Sequence, residues 1–242
     1  MKSIWGLFIA VGFALAMGSC FDPPEYPNEP QIEFNNLIFK EVGGVAEADS
    51  LILFIDFRDG DGDLGLNPNE TGCQIIGEDT VCYNNRFYFI NREGNSFLSY
   101  EDKRNNPELN LPDFVPPFSC TNWDVIRENN IVQDTLYFEL NQNHYNIFVD
   151  FYVKQPDGSF KFFNFFEEFQ YPNCPTTFDG RFPILSKNLS QPGPLEGTLR
   201  YAMVSSLFKL QFSIKTVKLK IQIQDRRTNL SNEIETPEFR FE

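Results

Sequence analysis

At 242 residues, 41% hydrophobic and 16% aromatic, the chain is long enough for one large apolar core or two small ones. Its 34 acidic side chains against 20 basic ones give a formal net charge of -14, which repels phosphate backbones and argues against a nucleic-acid partner. The single histidine, His144, leaves little material for a zinc site, a triad or a histidine general base.

The chain starts MKSIWGLFIAVGFALAMGSC. Lys2 supplies a short basic region, and Ile4 to Met17 is apolar apart from glycines. That run is shorter than the roughly 20 residues a membrane span needs, so residues 1–19 read as a cleavable secretory signal. Met17-Gly18-Ser19-Cys20 resembles the lipobox of bacterial lipoproteins, with Met17 where Leu is commoner. The resemblance implies cleavage before Cys20 and acylation of that residue, a membrane partner reached through lipid. Each buried methylene is worth about 0.8 kcal/mol, so two or three acyl chains hold permanently where one would not. Residues 20–31, rich in proline and acid, read as a solvated tether.

Beyond the tether, residues 32–242 read as one all-β domain. Strands are expected at 32–42, 49–57, 85–93, 134–142, 144–154, 159–169, 198–208, 216–225 and 233–242. Pro156-Asp157-Gly158 joins two of them as a tight turn. TVKLKIQIQD (216–225) alternates most cleanly, with Val217, Leu219, Ile221 and Ile223 on one face and Lys218, Lys220, Gln222 and Gln224 on the other. Pro237 marks the last strand as an edge. A short helix is expected over 121–129. So many strands separated by turn signals point to a β-sandwich. Two proline-rich insertions, 101–131 and 170–197, interrupt it.

With Cys20 assigned to lipid, Cys73, Cys82, Cys120 and Cys174 remain, an even number in an exported chain. Of the three pairings, Cys73–Cys82 and Cys120–Cys174 are favoured: one closes a short loop, the other pins the two insertions together. Chain entropy assigns them about 2.7 and about 4 kcal/mol.

The stretch DFRDGDGDLGLNPNE (56–70) is the candidate site. Set against a twelve-residue calcium loop, Asp59, Asp61 and Asp63 take positions 1, 3 and 5. Gly65 offers its carbonyl at 7, Asn67 falls at 9 and Glu70 at 12. Leu64 stands where an EF-hand has glycine, and a strand precedes the loop in place of a helix. The expectation is a structural calcium loop on a β scaffold; a metal-free Asp-Gly turn is the competing reading.

FKFFNFFEEF (160–169) carries rings on both faces, as a buried strand does. Glu167 and Glu168, adjacent on a strand, would point to opposite faces and cannot pair for catalysis. Trp123, the only tryptophan after the leader, is the candidate ligand-contact residue, although local packing is also a role for it. No G-x-S-x-G, P-loop or H-E-x-x-H occurs.

The Cys20 start with its acidic tether, DGDGDLG after a strand, and the ending IQIQDRRTNLSNEIETPEF together resemble Bacteroidota lipoproteins of unknown function with an immunoglobulin-like β-sandwich. That resemblance implies export to the cell envelope, with an outer-membrane lipoprotein facing the cell surface as the expectation, and no known reaction. It also makes Ser50, Thr80 and Thr135, each after an aspartate and before an apolar residue, resemble O-glycosylation sites. The function expected is therefore a non-catalytic binding or structural module with an unidentified protein or glycan partner. The alternatives are an accessory glycan-binding lipoprotein of a nutrient-uptake system, which needs exposed rim aromatics, and a calcium-assisted hydrolase, which needs a cleft beside 59–70 with a further acid.

Overall fold

The structure is a computed structural model that describes residues 24–42, 48–114, 122–168, 177–186, 193–205 and 208–241. Cys20, Cys120 and Cys174 lie outside the described residues, and with them the lipidation and the Cys120–Cys174 pairing. Among the described residues no helix is long and apolar enough to cross a membrane.

In chain order the elements are β1 (Gln31–Lys40), β2 (Asp49–Asp59), β3 (Cys73–Ile76), β4 (Asp79–Cys82), β5 (Arg86–Tyr88), α1 (Tyr100–Asn105), β6 (Trp123–Glu128), β7 (Ile131–Leu140) and β8 (Ile147–Lys154). There follow β9 (Phe160–Phe162), α2 (Phe165–Glu168), β10 (Leu195–Ser205), α3 (Phe208–Phe212), β11 (Val217–Ile223) and β12 (Ile234–Glu235). Among the described residues the regular structure is mostly strand and every strand pair is antiparallel, in agreement with the all-β expectation.

Two sheets make the body, one ordered β1-β2-β10 and the other β12-β11-β8-β9. Period-two alternation decides which side chains each sends inward. On β2 these are Leu51, Leu53, Ile55 and Phe57; on β8, Ile147, Val149 and Phe151; on β11, Val217, Leu219, Ile221 and Ile223. All of them join one apolar cluster, completed by Phe163, Phe165, Phe182, Phe208, Phe212 and Phe241. Phe151 sits at its centre, stacked on Phe212 at 5.4 Å and on Phe208 at 6.2 Å. The opposite face of β11 is polar, where Lys218 pairs with Glu235 at 2.7 Å and Lys220 with Glu233 at 2.8 Å. β12 is an edge strand, as Pro237 foretells.

A second region, β3 to β7, is inserted between the body strands β2 and β8. It holds a β3-β4 hairpin and a small sheet ordered β5-β7-β6. The Cys73–Cys82 disulfide forms, joining directly opposed residues of the hairpin. Two small clusters fill this region, Leu66 with Val81 and Tyr83, and Leu98 with Trp123 and Tyr137.

Four expectations need correction. Residues 123–128 form a strand, not a helix: β6 turns back on β7 through Asn129 and Asn130, whose φ values of 49° and 63° suit a tight hairpin. The strand expected over 159–169 stops at Phe162, and a helical turn follows, because Phe163 and Phe165 both enter the core while Phe162 stays exposed. That turn leaves Glu167 and Glu168 both exposed, not on opposite strand faces. Near 101–131 the chain also makes a helix the sequence reading passed over. Ser99 caps α1, its hydroxyl accepting from the Asp102 N–H while Asp102 Oδ2 accepts from the Ser99 N–H at 2.8 Å. Thr135 is buried, which removes it as a modification site, while Thr80 is exposed.

Candidate metal centre

The centre begins as an exception to alternation. The inward row of β2 continues one step past Phe57 to Asp59, which is 0% exposed. The inward row of β11 continues past Ile223 to Asp225, which is 5% exposed. The two sheets share one core, so the ends of these rows meet at one edge of it. The loop after β2 then turns back on itself. Gly62, at φ +67°, and Gly65, at φ +104°, hold left-handed backbone and lie so close to the Gly193 and Pro183 carbonyls that a Cβ would not fit. Leu64 is fully buried in the body core and anchors the loop from inside. As a result Asp59, Asp61, Asp63 and Asp225 each place a carboxylate oxygen within 4.8 Å of the others.

Few groups neutralise this cluster. Asp59 Oδ2 accepts from the Asp63 N–H at 3.1 Å, but Asp59 Oδ1, both oxygens of Asp61, and Asp63 Oδ1 are buried without a hydrogen-bond partner. Asp225 is better served: Oδ1 accepts from the Arg227 and Asn229 N–H groups, both at 2.8 Å, and Oδ2 from Asn229 Nδ2 at 2.7 Å. The Arg227 guanidinium lies 3.3 Å from Asp61 and 3.6 Å from Asp63. Burial first, then the neighbouring aspartates, pushes the Asp59 carboxyl up to about 7. Burial, then Asp225 and Asp61, does the same to Asp63, up to about 7, and burial raises Asp225. Orphaned buried carboxylate oxygens are costly and uncommon. They are what a hard cation with all-oxygen coordination requires, and calcium accepts six to eight such ligands at flexible geometry.

The calcium loop read from the sequence is thus partly reassigned. Asp59, Asp61 and Asp63 converge, but Gly65, Asn67 and Glu70 go elsewhere. Glu70 makes a bidentate pair with Arg226, at 2.5 and 3.0 Å, which holds its carboxyl below the usual range. The Gly65 carbonyl accepts from Arg226 Nη1 at 3.3 Å, and the Asn67 carbonyl from Arg181 Nη1 at 3.1 Å. The converging acid the spacing missed is Asp225, which lies far along the chain. Its signal was the alternation of 216–225, carried two residues past Ile223.

Trp123 is also reassigned. It is 1% exposed, donates from Nε1 to the Pro112 carbonyl at 3.0 Å and packs edge-on against Tyr100 at 5.1 Å and Tyr137 at 5.4 Å. It is a packing residue of the second region and presents no surface to a ligand.

No family model, curated protein or solved structure matches this chain. The site is therefore read from its own geometry.

That geometry places the acidic cluster against the joint between body and second region. The Arg226 carbonyl, one residue beyond Asp225, accepts from Tyr83 Oη at 2.7 Å and Gln74 Nε2 at 2.6 Å. Arg181 forms a companion clamp, donating to the Glu70 carbonyl at 2.7 Å and to the carbonyls of His144 and Tyr83. Its guanidinium also lies 2.8 Å from His144 Nδ1, which is 3.1 Å from the Tyr83 carbonyl as well. Burial, with Arg181 adding to it, lowers the His144 pKa. The lone histidine is a bonded structural residue. An open cleft of about 610 Å³ lies between the loop and the β3-β4 hairpin, lined by Asp61, Asp63, Gln74, Ile75, Arg226 and Arg227.

Proposed function

We propose that this chain is an outer-membrane lipoprotein, anchored through Cys20, that acts as a non-catalytic binding or structural module. On this reading the two-sheet body is an immunoglobulin-like sandwich, and calcium bound by Asp59, Asp61, Asp63 and Asp225 fixes the joint from which the second region projects. The observation that supports the calcium-fixed joint is the set of buried carboxylate oxygens without hydrogen-bond partners beside the residues that clamp the two regions together, while the anchor rests on the Met17-Gly18-Ser19-Cys20 motif alone. A structural role for the ion suits this place. Asp225 is followed directly by the residue whose carbonyl holds Gln74 and Tyr83, so ordering one orders the other. A hydrolase would find its cleft and a further acid here. However, the carboxylates converge on one another, and the Arg226 charge beside them is committed to Glu70.

The glycan-binding alternative moves with Trp123. Its ring is buried, but Phe87, Tyr88 and Phe97 of the second region are exposed, with Tyr88 and Phe97 at 5.7 Å. Sugar stacking would fall on these rings.

The test has two arms in cells. Mass spectrometry of the mature protein is expected to find an acylated Cys20 at the new N-terminus. Limited proteolysis of intact cells is expected to release fragments of the β3–β7 region sooner when calcium is chelated. An unmodified Cys20 with the leader retained contradicts the anchor, and identical proteolysis with and without chelator contradicts the calcium-fixed joint.

A further inference from the structure

Asp225, Arg226 and Arg227 are consecutive, yet each serves a different purpose. Asp225 enters the acidic cluster, and Arg226 turns away to Glu70 and Gly65. Arg227 turns back over the cluster, and among the described residues its guanidinium pairs only with Asp61 and Asp63. Those separations, 3.3 and 3.6 Å, exceed the 2.7–2.9 Å of a good charge-assisted hydrogen bond. The side chain is 52% exposed, and it borders the cleft of about 610 Å³. Arg227 thus covers the cluster loosely from the solvent side, while Asp59 Oδ1, Asp61 Oδ1 and Asp63 Oδ1 have no hydrogen-bond partner.

We propose that Arg227 is a resident counter-ion that competes with calcium for this site. Without metal, its guanidinium screens Asp61 and Asp63; when calcium enters, the same side chain swings into the cleft. This rests on the calcium reading and adds to it a residue that sets affinity without ligating. A bare cluster of four carboxylates would bind more tightly, whereas a cation that must be displaced weakens binding. Arg227 suits the part because its side chain is anchored to nothing else described, in contrast to Arg226.

Calorimetric titration of the full chain in detergent with calcium chloride, after chelation, tests this. Arg227→Gln keeps the length and polarity and removes the charge. It is expected to bind calcium about fivefold more tightly than the unaltered chain, the size of one part-exposed ion pair given up. Its melting temperature is expected to fall in chelator and to match the unaltered chain in saturating calcium. Asp225→Asn, which removes a ligand charge, is expected to weaken binding at least tenfold, an order-of-magnitude expectation for a lost carboxylate ligand. If Arg227→Gln binds equally or more weakly while Asp225→Asn loses affinity, the counter-ion role is overturned and the calcium site stands. Equal destabilisation of Arg227→Gln with and without calcium also overturns it, since that is the mark of a merely structural residue. If neither the unaltered chain nor Arg227→Gln binds, both readings fail.

Discussion

The body and the second region are built by different means. In the body, inward rows from two sheets and a stack of phenylalanines merge into one continuous cluster. In the β3–β7 region the apolar clusters are small, and many large apolar side chains are exposed, among them Ile75, Phe87, Ile90, Phe97 and Ile131. What that region lacks in burial it replaces with fixed links: the Cys73–Cys82 disulfide, the capping box at Ser99, the Arg181 clamp and the hold of Gln74 and Tyr83 on the Arg226 carbonyl. Burial scales with size, so a small region needs staples where a large one does not. The acidic cluster lies where the two regimes meet.

This contrast is sharpest in truncation of the largest core rings. Phe151→Ala should cost about 3–5 kcal/mol, read from denaturant curves, and should weaken the whole body. Trp123→Ala removes as large a side chain, but its loss should stay local. Hydrogen exchange should show β6 and β7 losing protection while β2, β8 and β11 keep theirs. A single transition in which Trp123→Ala unfolds both regions together would break the distinction.

Charge separates the joint from the body in a second way. Asp59 and Asp63 carry folded pKa values of about 7 against an ordinary 3.8. The folded state therefore holds protons that the unfolded chain releases. Without metal, stability should fall as pH rises from about 4 through about 7. His144 opposes this below about pH 6.5, because its lowered pKa lets the unfolded chain take up the proton first. In chelator the His144→Gln variant should thus melt higher at pH 5 than at pH 8, and saturating calcium should remove the difference. A metal-free melt that rises with pH across that window would contradict the electrostatics described.

Smaller effects test the staples. Reducing the Cys73–Cys82 bond should destabilise the second region by about 2.7 kcal/mol, the closure entropy of so short a loop, with body amides unaffected in exchange. Ser99→Ala should cost about 1 kcal/mol, confined to α1 and its neighbours, as local proteolysis can measure.

Legibility in the sequence follows the same division. The body strands could be read because burial imposes strict alternation; β2 and β11 follow it residue by residue. Strand 123–128 was misread because its hairpin turn is Asn129-Asn130, weaker punctuation than an Asn-Gly pair, and because its partner strand follows so closely. The 159–169 segment was misread because phenylalanine satisfies a strand or a helical turn equally. Three of the four converging carboxylates could be read from local spacing. The fourth could not, because a loop template looks only along the chain, and Arg226 took Glu70 away by pairing across it. Asp225 was within reach of a different rule: a charged residue that continues an inward row must be neutralised there.

The central claim is that the cation ligands are Asp59, Asp61, Asp63 and Asp225, and that Glu70 is a clamp. The most direct test is the calcium-induced rise in melting temperature of Asp225→Asn beside Glu70→Gln. The proposal predicts that Asp225→Asn loses the rise, while Glu70→Gln starts from a lower baseline and keeps it. A rise that survives in Asp225→Asn and vanishes in Glu70→Gln would return the site to the contiguous loop and contradict this account.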